Sequence, residues 1–224
     1  MPLDTLDGQT GPAPGASIII LHGLGADAND FVPFAQQLDL RAVGDVRWVF
    51  PNAPIKPVTV FGGQRARAWF DVFDMDTGIK RREDEPGLRA SMAEVQALID
   101  REIALGIPAS RIVLGGFSQG CAMTLLTGLR APQRLAGLMG LSGWLPLAST
   151  TAAERSQANA DVPIFMGHGT ADPVVPFALG GESRDVLAGL GYPVEFHSYP
   201  IQHHTSPEES RDAHAWLLKV LAKA

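Results

Sequence analysis

The chain has one cysteine, Cys121, in 224 residues, which excludes an intramolecular disulfide. Nothing in the fold then depends on an oxidising compartment, and a cytoplasmic location is the expectation. Residues Met1 to Ser17 hold Gly, Pro and Asp but no basic head followed by an apolar stretch, so no signal peptide is expected there. Long hydrophobic runs are also missing. Ser17 to Leu21 and Leu135 to Leu141 fall far short of the roughly 20 residues that a membrane-spanning helix needs, so no membrane span is expected. Positive charge is scarce: 18 Lys and Arg stand against 24 Asp and Glu, a net charge of -6. Basic residues cluster only at Lys80, Arg81 and Arg82, where Glu83, Asp84 and Glu85 offset them, and this argues against a nucleic-acid partner. No HExxH or comparable spacing occurs, so neither a metal nor another cofactor is expected.

What the chain does have is apolar residues, 46% of the total, enough for one well-buried core and too short a sequence for two full-sized domains. A single domain over residues 1–224 is expected. Short β-branched or apolar runs alternate with longer segments of helical period, the pattern of an α/β fold with a mostly parallel sheet flanked by helices on both faces. The candidate strands are Ser17 to Leu21, Val46 to Phe50, Arg111 to Gly115, Leu135 to Leu141, Val162 to Met166 and Val194 to Tyr199. A helix starting near Pro86 places Leu88, Met92, Val95, Leu98, Ile99 and Ile103 on one face. Gln119 to Leu129, Glu182 to Leu190 and Pro207 to Leu221 read as further helices, the last turning Ala213, Trp216, Leu217 and Val220 inward. The glycines, prolines and aromatics of residues 52–78 suggest an irregular excursion of the kind that borders active sites.

The strand Arg111 to Gly115 runs into Gly116-Phe117-Ser118-Gln119-Gly120, a GxSxG sequence, and then into a helical segment. A strand that turns sharply into a helix forces strained backbone on the apex residue, and glycines on either side remove the collisions that side chains would make there. Such a turn lifts a serine hydroxyl above the sheet edge, where it serves as a nucleophile. The plainer reading of Ser118 is an ordinary helix N-cap. Cys121, just beyond the turn, should face the packing surface of the helix as a buried small residue.

A serine hydroxyl is a weak nucleophile near neutral pH. It needs an imidazole to take its proton and a carboxylate to orient that imidazole. In chain order Ser, Asp, His, the loop His168-Gly169-Thr170-Ala171-Asp172-Pro173 delivers Asp172 at the carboxyl edge of the sheet, and the loop after Tyr199 delivers His203 and His204. Adjacent side chains in a loop point in different directions, so spacing does not choose between the two histidines. His168 precedes Asp172 and reads as a structural hydrogen-bonding residue; His197, inside a strand, and His214, on the last helix, read as surface or packing residues. Leu21-His22-Gly23-Leu24-Gly25 follows the first apolar strand, which makes the N–H of Leu24 one candidate oxyanion donor and the N–H of Gln119 the other. The plainer reading is that Gly23 and Gly25 shape a turn.

These pieces, together with Trp69-Phe70-Asp71, Leu141-Ser142-Gly143-Trp144-Leu145-Pro146 and Asp172-Pro173-Val174-Val175-Pro176, resemble the phospholipase/carboxylesterase family of α/β-hydrolases, which includes acyl-protein thioesterases. The resemblance spans nearly the whole chain. It implies the α/β-hydrolase fold without a large lid domain, and it puts the catalytic histidine at His203, with Glu208 and Glu209 as the acidic pair that follows. The chain departs from the family pattern at Gln202, where Gly is frequent, and at His204, where Ser or Glu is more usual. The resemblance also implies that Trp144 lines the acyl side of a pocket and that Trp69 supports the loops near it, while Phe73 and Ile79 contribute to an apolar slot; in the plainer reading both tryptophans are core residues. The expected function is a serine carboxylesterase acting on small or lipid-like esters of short to medium acyl chains, as a monomer or homodimer. An acyl-protein thioesterase or lysophospholipase would use the same machinery. A dienelactone-type hydrolase would carry Cys where Ser118 stands, and a non-catalytic binding protein of this fold commonly lacks one of the three catalytic residues.

Overall fold

A computed structural model of the chain describes residues 2–73 and 82–222. In chain order the strands are β1 (Thr5–Gln9), β2 (Ala16–Leu21), β3 (Val46–Pro51), β4 (Ile55–Pro57), β5 (Arg65–Arg67), β6 (Ile112–Phe117), β7 (Gly137–Leu141), β8 (Ile164–Gly169) and β9 (Val194–Tyr199). The helices are α1 (Val32–Gln36), α2 (Glu85–Ala104), α3 (Gln119–Gly128), α4 (Ala148–Glu154), α5 (Phe177–Gly189) and α6 (Pro207–Val220). Seven strands form one sheet in the order β1-β3-β2-β6-β7-β8-β9; β1 is antiparallel to β3, and every other pairing is parallel. β4 and β5 make a separate antiparallel hairpin.

Strands covered on both faces need apolar residues at every position rather than at alternate ones. Thus Ala16–Leu21 is buried along its whole length, and so are β7 and β8. Two apolar layers result. On one face, Leu88, Val95, Leu98 and Ile99 of α2 join α3 and Leu179 and Leu187 of α5; on the other, Phe34 of α1 joins Ala213, Trp216 and Leu217 of α6. Met92 and Ile103, expected on the inner face of α2, are half-buried at its margin.

β9 spans the residues expected, and β6 continues two residues past its expected end, to Phe117. β1 escaped the sequence reading because Thr5–Gln9 is polar and mostly exposed at the sheet edge. The hairpin β4–β5 lies inside the excursion expected to be irregular, and α1 and α4 are too short to show a helical period. α5 starts five residues before Glu182. Its first turn carries Gly180 and Gly181, which weaken a helical pattern, and Gly180 is required there because a Cβ would press on the His168 ring.

Two fully buried glutamates show opposite solutions to one problem. Glu102 on α2 accepts from the Ser17 hydroxyl of β2 at 2.9 Å, from Arg47 of β3 at 2.9 Å and from Arg101 at 3.0 Å, so its charge is compensated and α2 is tied to two strands. Glu209, in the first turn of α6, sits against Gly167, and among the described residues neither of its carboxyl oxygens has a hydrogen-bond partner. Burial, with the nearby charge of Asp212 adding to it and the Ser206 backbone opposing it, pushes the Glu209 carboxyl up to about 8.

Glu102→Ala is expected to cost about 3 kcal/mol, since two guanidinium groups lose their shared acceptor. For a chain of this size that is a fall of roughly 6 to 12 °C in melting temperature, read by calorimetry. For Glu209 the sign follows from the raised value: the unfolded carboxyl ionises near 4.5 while the folded one stays protonated, so its contribution to stability is lost as pH rises towards about 8. Glu209→Gln should therefore gain on the wild type between pH 5 and 8 and level off above. Urea titrations giving the same stability difference at both ends of that window would contradict the assignment.

Candidate active site

β6 ends one residue before Ser118, and α3 begins one residue after it. The whole reversal falls on Ser118, which takes φ 56° and ψ -117°, a left-handed φ that a non-glycine residue adopts only under constraint. Two bonds frame it: Ser118 N–H donates to Leu141 O at 2.9 Å, and Ser118 O accepts from Ala122 N–H at 3.1 Å. The turn is tight enough that a Cβ on Gly116 would overlap the backbone of Gly120, and one on Gly120 would overlap the carbonyl of Leu21. Ser118 precedes the helix, yet its hydroxyl caps no backbone N–H. It faces His203 instead, with Oγ 3.0 Å from Nε2.

The other nitrogen of that ring, Nδ1, donates to Asp172 Oδ2 at 2.6 Å. Asp172 Oδ1 accepts the N–H groups of Val174 at 2.8 Å and Val175 at 2.9 Å, so the loop after β8 holds the carboxylate from behind. The loop after β9 is fastened to it, Ala171 N–H donating to Ile201 O at 3.1 Å. His203 also packs against Phe117, with ring centroids 4.7 Å apart. His204 turns outward and is exposed, as is Gln202. His168 is buried and donates from Nε2 to Val175 O at 2.8 Å, while burial lowers its pKa, so the neutral ring braces the Asp172 loop. His197 stacks on Phe165 and pairs with Glu195 and Asp212, and His214 donates to Asp39 O.

The loop of Leu24 lies directly against the serine: a Cβ built on Gly23 would stand 3.4 Å from Ser118 Cβ. Among the described residues, neither the Leu24 N–H nor the Gln119 N–H, at the first position of α3, is taken by another group. His22 holds this loop. Its Nδ1 donates to Gly23 O at 2.7 Å and its Nε2 accepts from Ala53 N–H at 3.0 Å, which fixes one neutral tautomer, and burial lowers its pKa. The hairpin β4–β5 adds a second support, Arg67 O accepting from Gly25 N–H at 2.9 Å.

Trp69 is fully buried. It braces two loops, its indole N–H donating to His22 O at 2.9 Å and its backbone N–H to Gln119 Oε1 at 3.1 Å. The Gln119 amide also donates to Phe70 O at 3.0 Å. Trp144 meets Phe70 edge-on, with centroids 6.0 Å apart, and shares a narrow cleft with Phe73, over whose ring the Arg82 guanidinium sits at 4.1 Å. Ile79 lies outside the described residues. Cys121 is buried against Gly140 and Gly143, and its thiol is pushed up to about 12 by burial, with Glu209 adding to this. The bracing roles of His22 and of the Gln119 side chain went unread in the sequence. His22 stands inside a motif that marks its position, whereas nothing in the pattern indicates where the Gln119 amide points.

Among the described residues there is no group of three or more His, Cys, Asp or Glu able to hold a metal ion, and no helix is long and apolar enough to cross a membrane. What converges on the carboxyl edge of the sheet is a hydroxyl, an imidazole and a carboxylate in one hydrogen-bonded line, beside two unengaged backbone donors.

A family model described as phospholipase/carboxylesterase matches residues 10–221. Acyl-protein thioesterase 1 of Neurospora crassa is 41% identical over 204 residues, covering 88% of this chain and 83% of that protein. Acyl-protein thioesterase 1 of Mycosarcoma maydis is 41% identical over 227 residues, covering 95% and 94%. Among solved structures, acyl-protein thioesterase 2 of Zea mays superposes with a TM-score of 0.86 at 34% identity, covering 97% of this chain and 99% of that one. SOBER1 of Arabidopsis thaliana superposes with a TM-score of 0.87 at 33% identity, covering 92% and 99%. The seven-stranded sheet, the sharp turn at Ser118 and these likenesses lead to one conclusion: the chain belongs to the phospholipase/carboxylesterase family, has the α/β-hydrolase fold and is a serine hydrolase acting on esters.

Proposed function

We propose that this chain hydrolyses acyl thioesters, and with them carboxylic esters, through Ser118, His203 and Asp172. The observation that carries the reading is the imidazole of His203, within hydrogen-bond distance of the Ser118 hydroxyl on one side and the Asp172 carboxylate on the other. Ser118 Oγ attacks the acyl carbonyl while His203 Nε2 takes its proton, and Asp172 stabilises the imidazolium and keeps its Nδ1 proton in place. The N–H groups of Leu24 and Gln119 receive the oxyanion, and because His22, Trp69 and the Gln119 side chain hold both loops beforehand, little reorganisation is needed when charge develops. The imidazolium then protonates the leaving sulfur or oxygen. Water, deprotonated by the same ring, attacks the acyl-serine and releases the carboxylic acid.

Thioesters rank first because the curated relatives named above are acyl-protein thioesterases, which reverses the order suggested by the sequence pattern. The carboxylesterase reading stands second. In its favour, the family model that matches residues 10–221 is described as phospholipase/carboxylesterase.

The wild type should react with a fluorophosphonate probe, and Ser118→Ala should not, while its far-UV circular dichroism stays unchanged. Asp172→Asn is expected to lower kcat by about four orders of magnitude, through loss of the imidazole's orientation. Ser118→Ala with wild-type turnover would end the reading. To rank the two substrate classes, kcat/KM is compared for an octanoyl thioester and its oxygen ester. Tenfold or greater preference for the oxygen ester would return the carboxylesterase reading to first place.

A further inference from the structure

A pocket of about 370 Å³ opens beside His203. One wall is an aromatic row: Phe34 packs on Phe31 with centroids 5.8 Å apart, Phe31 on Phe117 at 5.8 Å, and Phe117 on the His203 ring at 4.7 Å. His204 and the start of α6 form the opposite wall, and Asp30 contributes to the lining. Among the described residues the Asp30 carboxylate joins no ion pair and accepts no hydrogen bond. Its electrostatic neighbours are Asp27, a second acid, and His22, which is held neutral. Partial burial, with His22 opposing it and the charge of Asp27 adding to it, raises the Asp30 pKa.

The chemistry says what occupies this pocket. His203 must hand its proton to the departing atom, so the departing group lies on the imidazole side of the acyl carbon. We infer that the pocket is the leaving-group subsite and that Asp30, with the aromatic row, selects leaving groups carrying a positive charge close to the scissile sulfur or oxygen. A carboxylate attracts such a cation over several ångströms, and the faces of phenylalanine rings add a cation–π attraction. An anionic leaving group meets the same field with the opposite sign. Two kinds of compound offer the required charge, a cysteinyl peptide with a neighbouring lysine and a quaternary ammonium alcohol or thiol. The inference rests on the proposed hydrolysis of thioesters through Ser118.

The test uses two matched pairs of octanoyl thioesters, with rates normalised to active sites titrated by a fluorophosphonate. The first pair is the thioester of acetyl-Cys-Lys-amide and that of acetyl-Cys-Glu-amide; the second is octanoylthiocholine and its uncharged carbon isostere. In at least one pair the wild type should favour the cation about fivefold in kcat/KM, a preference that shrinks in high salt because the Asp30 carboxylate reaches solvent. Asp30→Asn should bring the ratio close to one, and Asp30→Lys should invert it. A preference in the peptide pair alone makes the natural leaving group a basic peptide, and one in the choline pair alone makes it a quaternary headgroup. Equal rates within both pairs, or a ratio untouched by either substitution, would overturn the role of Asp30 and leave the hydrolytic reading standing. No turnover of any of the four by probe-reactive enzyme would overturn both.

Discussion

Everything at the candidate site hangs from a chain reversal completed within one residue. The peptide planes of β6 and α3 meet at Ser118, and the helix can start there only because its first turn packs directly on the backbone of β2. Gly116 and Gly120 make this contact possible, and the left-handed φ of Ser118 is its cost, of order 1–3 kcal/mol for a non-glycine residue. The surrounding sheet absorbs that strain, since β6 lies at its centre, hydrogen-bonded on both sides by buried parallel neighbours. A less firmly held strand would relax the turn and let the hydroxyl swing away from the imidazole.

The remaining parts of the site reach Ser118 through neutral braces. His22 and His168 are both buried, both kept from protonating by burial, and both spend their ring N–H groups on backbone carbonyls of the loops they support. An imidazolium at His168, 3.6 Å from Asp172, would compete with His203 for that carboxylate, and one at His22 would disturb the field at the oxyanion donors. Using uncharged imidazoles leaves Asp172 Oδ2 to the proposed base, His203.

How far the sequence announced this arrangement depends on whether the deciding contacts are local. The strand–turn–helix around Ser118 is visible because glycines at fixed spacing are a local demand, β2 because a buried parallel strand carries a continuous apolar run, and β9, half-buried at the sheet edge, because Val194 and Phe196 alternate with polar residues. β1 was not visible, since an exposed edge strand such as Thr5–Gln9 has little reason to be apolar. The first turn of α5 was hidden by Gly180, whose presence answers to the His168 ring of another element. The same limit applied within the site. His203 and His204 are adjacent and chemically identical, and what separates them is a backbone path fastened to the Asp172 loop by Ala171 and Ile201, a contact between segments 30 residues apart. The size and aromatic character of Trp69 say only that it is buried; that its indole N–H donates to the His22 carbonyl is a contact between segments 47 residues apart.

Cys121 follows Ser118 by three positions, but it faces the interior against Gly140 and Gly143, where burial keeps its sulfur protonated at any ordinary pH. Maleimides and other thiol-directed reagents therefore have no native target while the chain is folded. A cysteine introduced at a surface position becomes the one reactive thiol without removal of the natural residue, and spin labels or fluorophores can be attached there to a protein whose interior is otherwise unaltered.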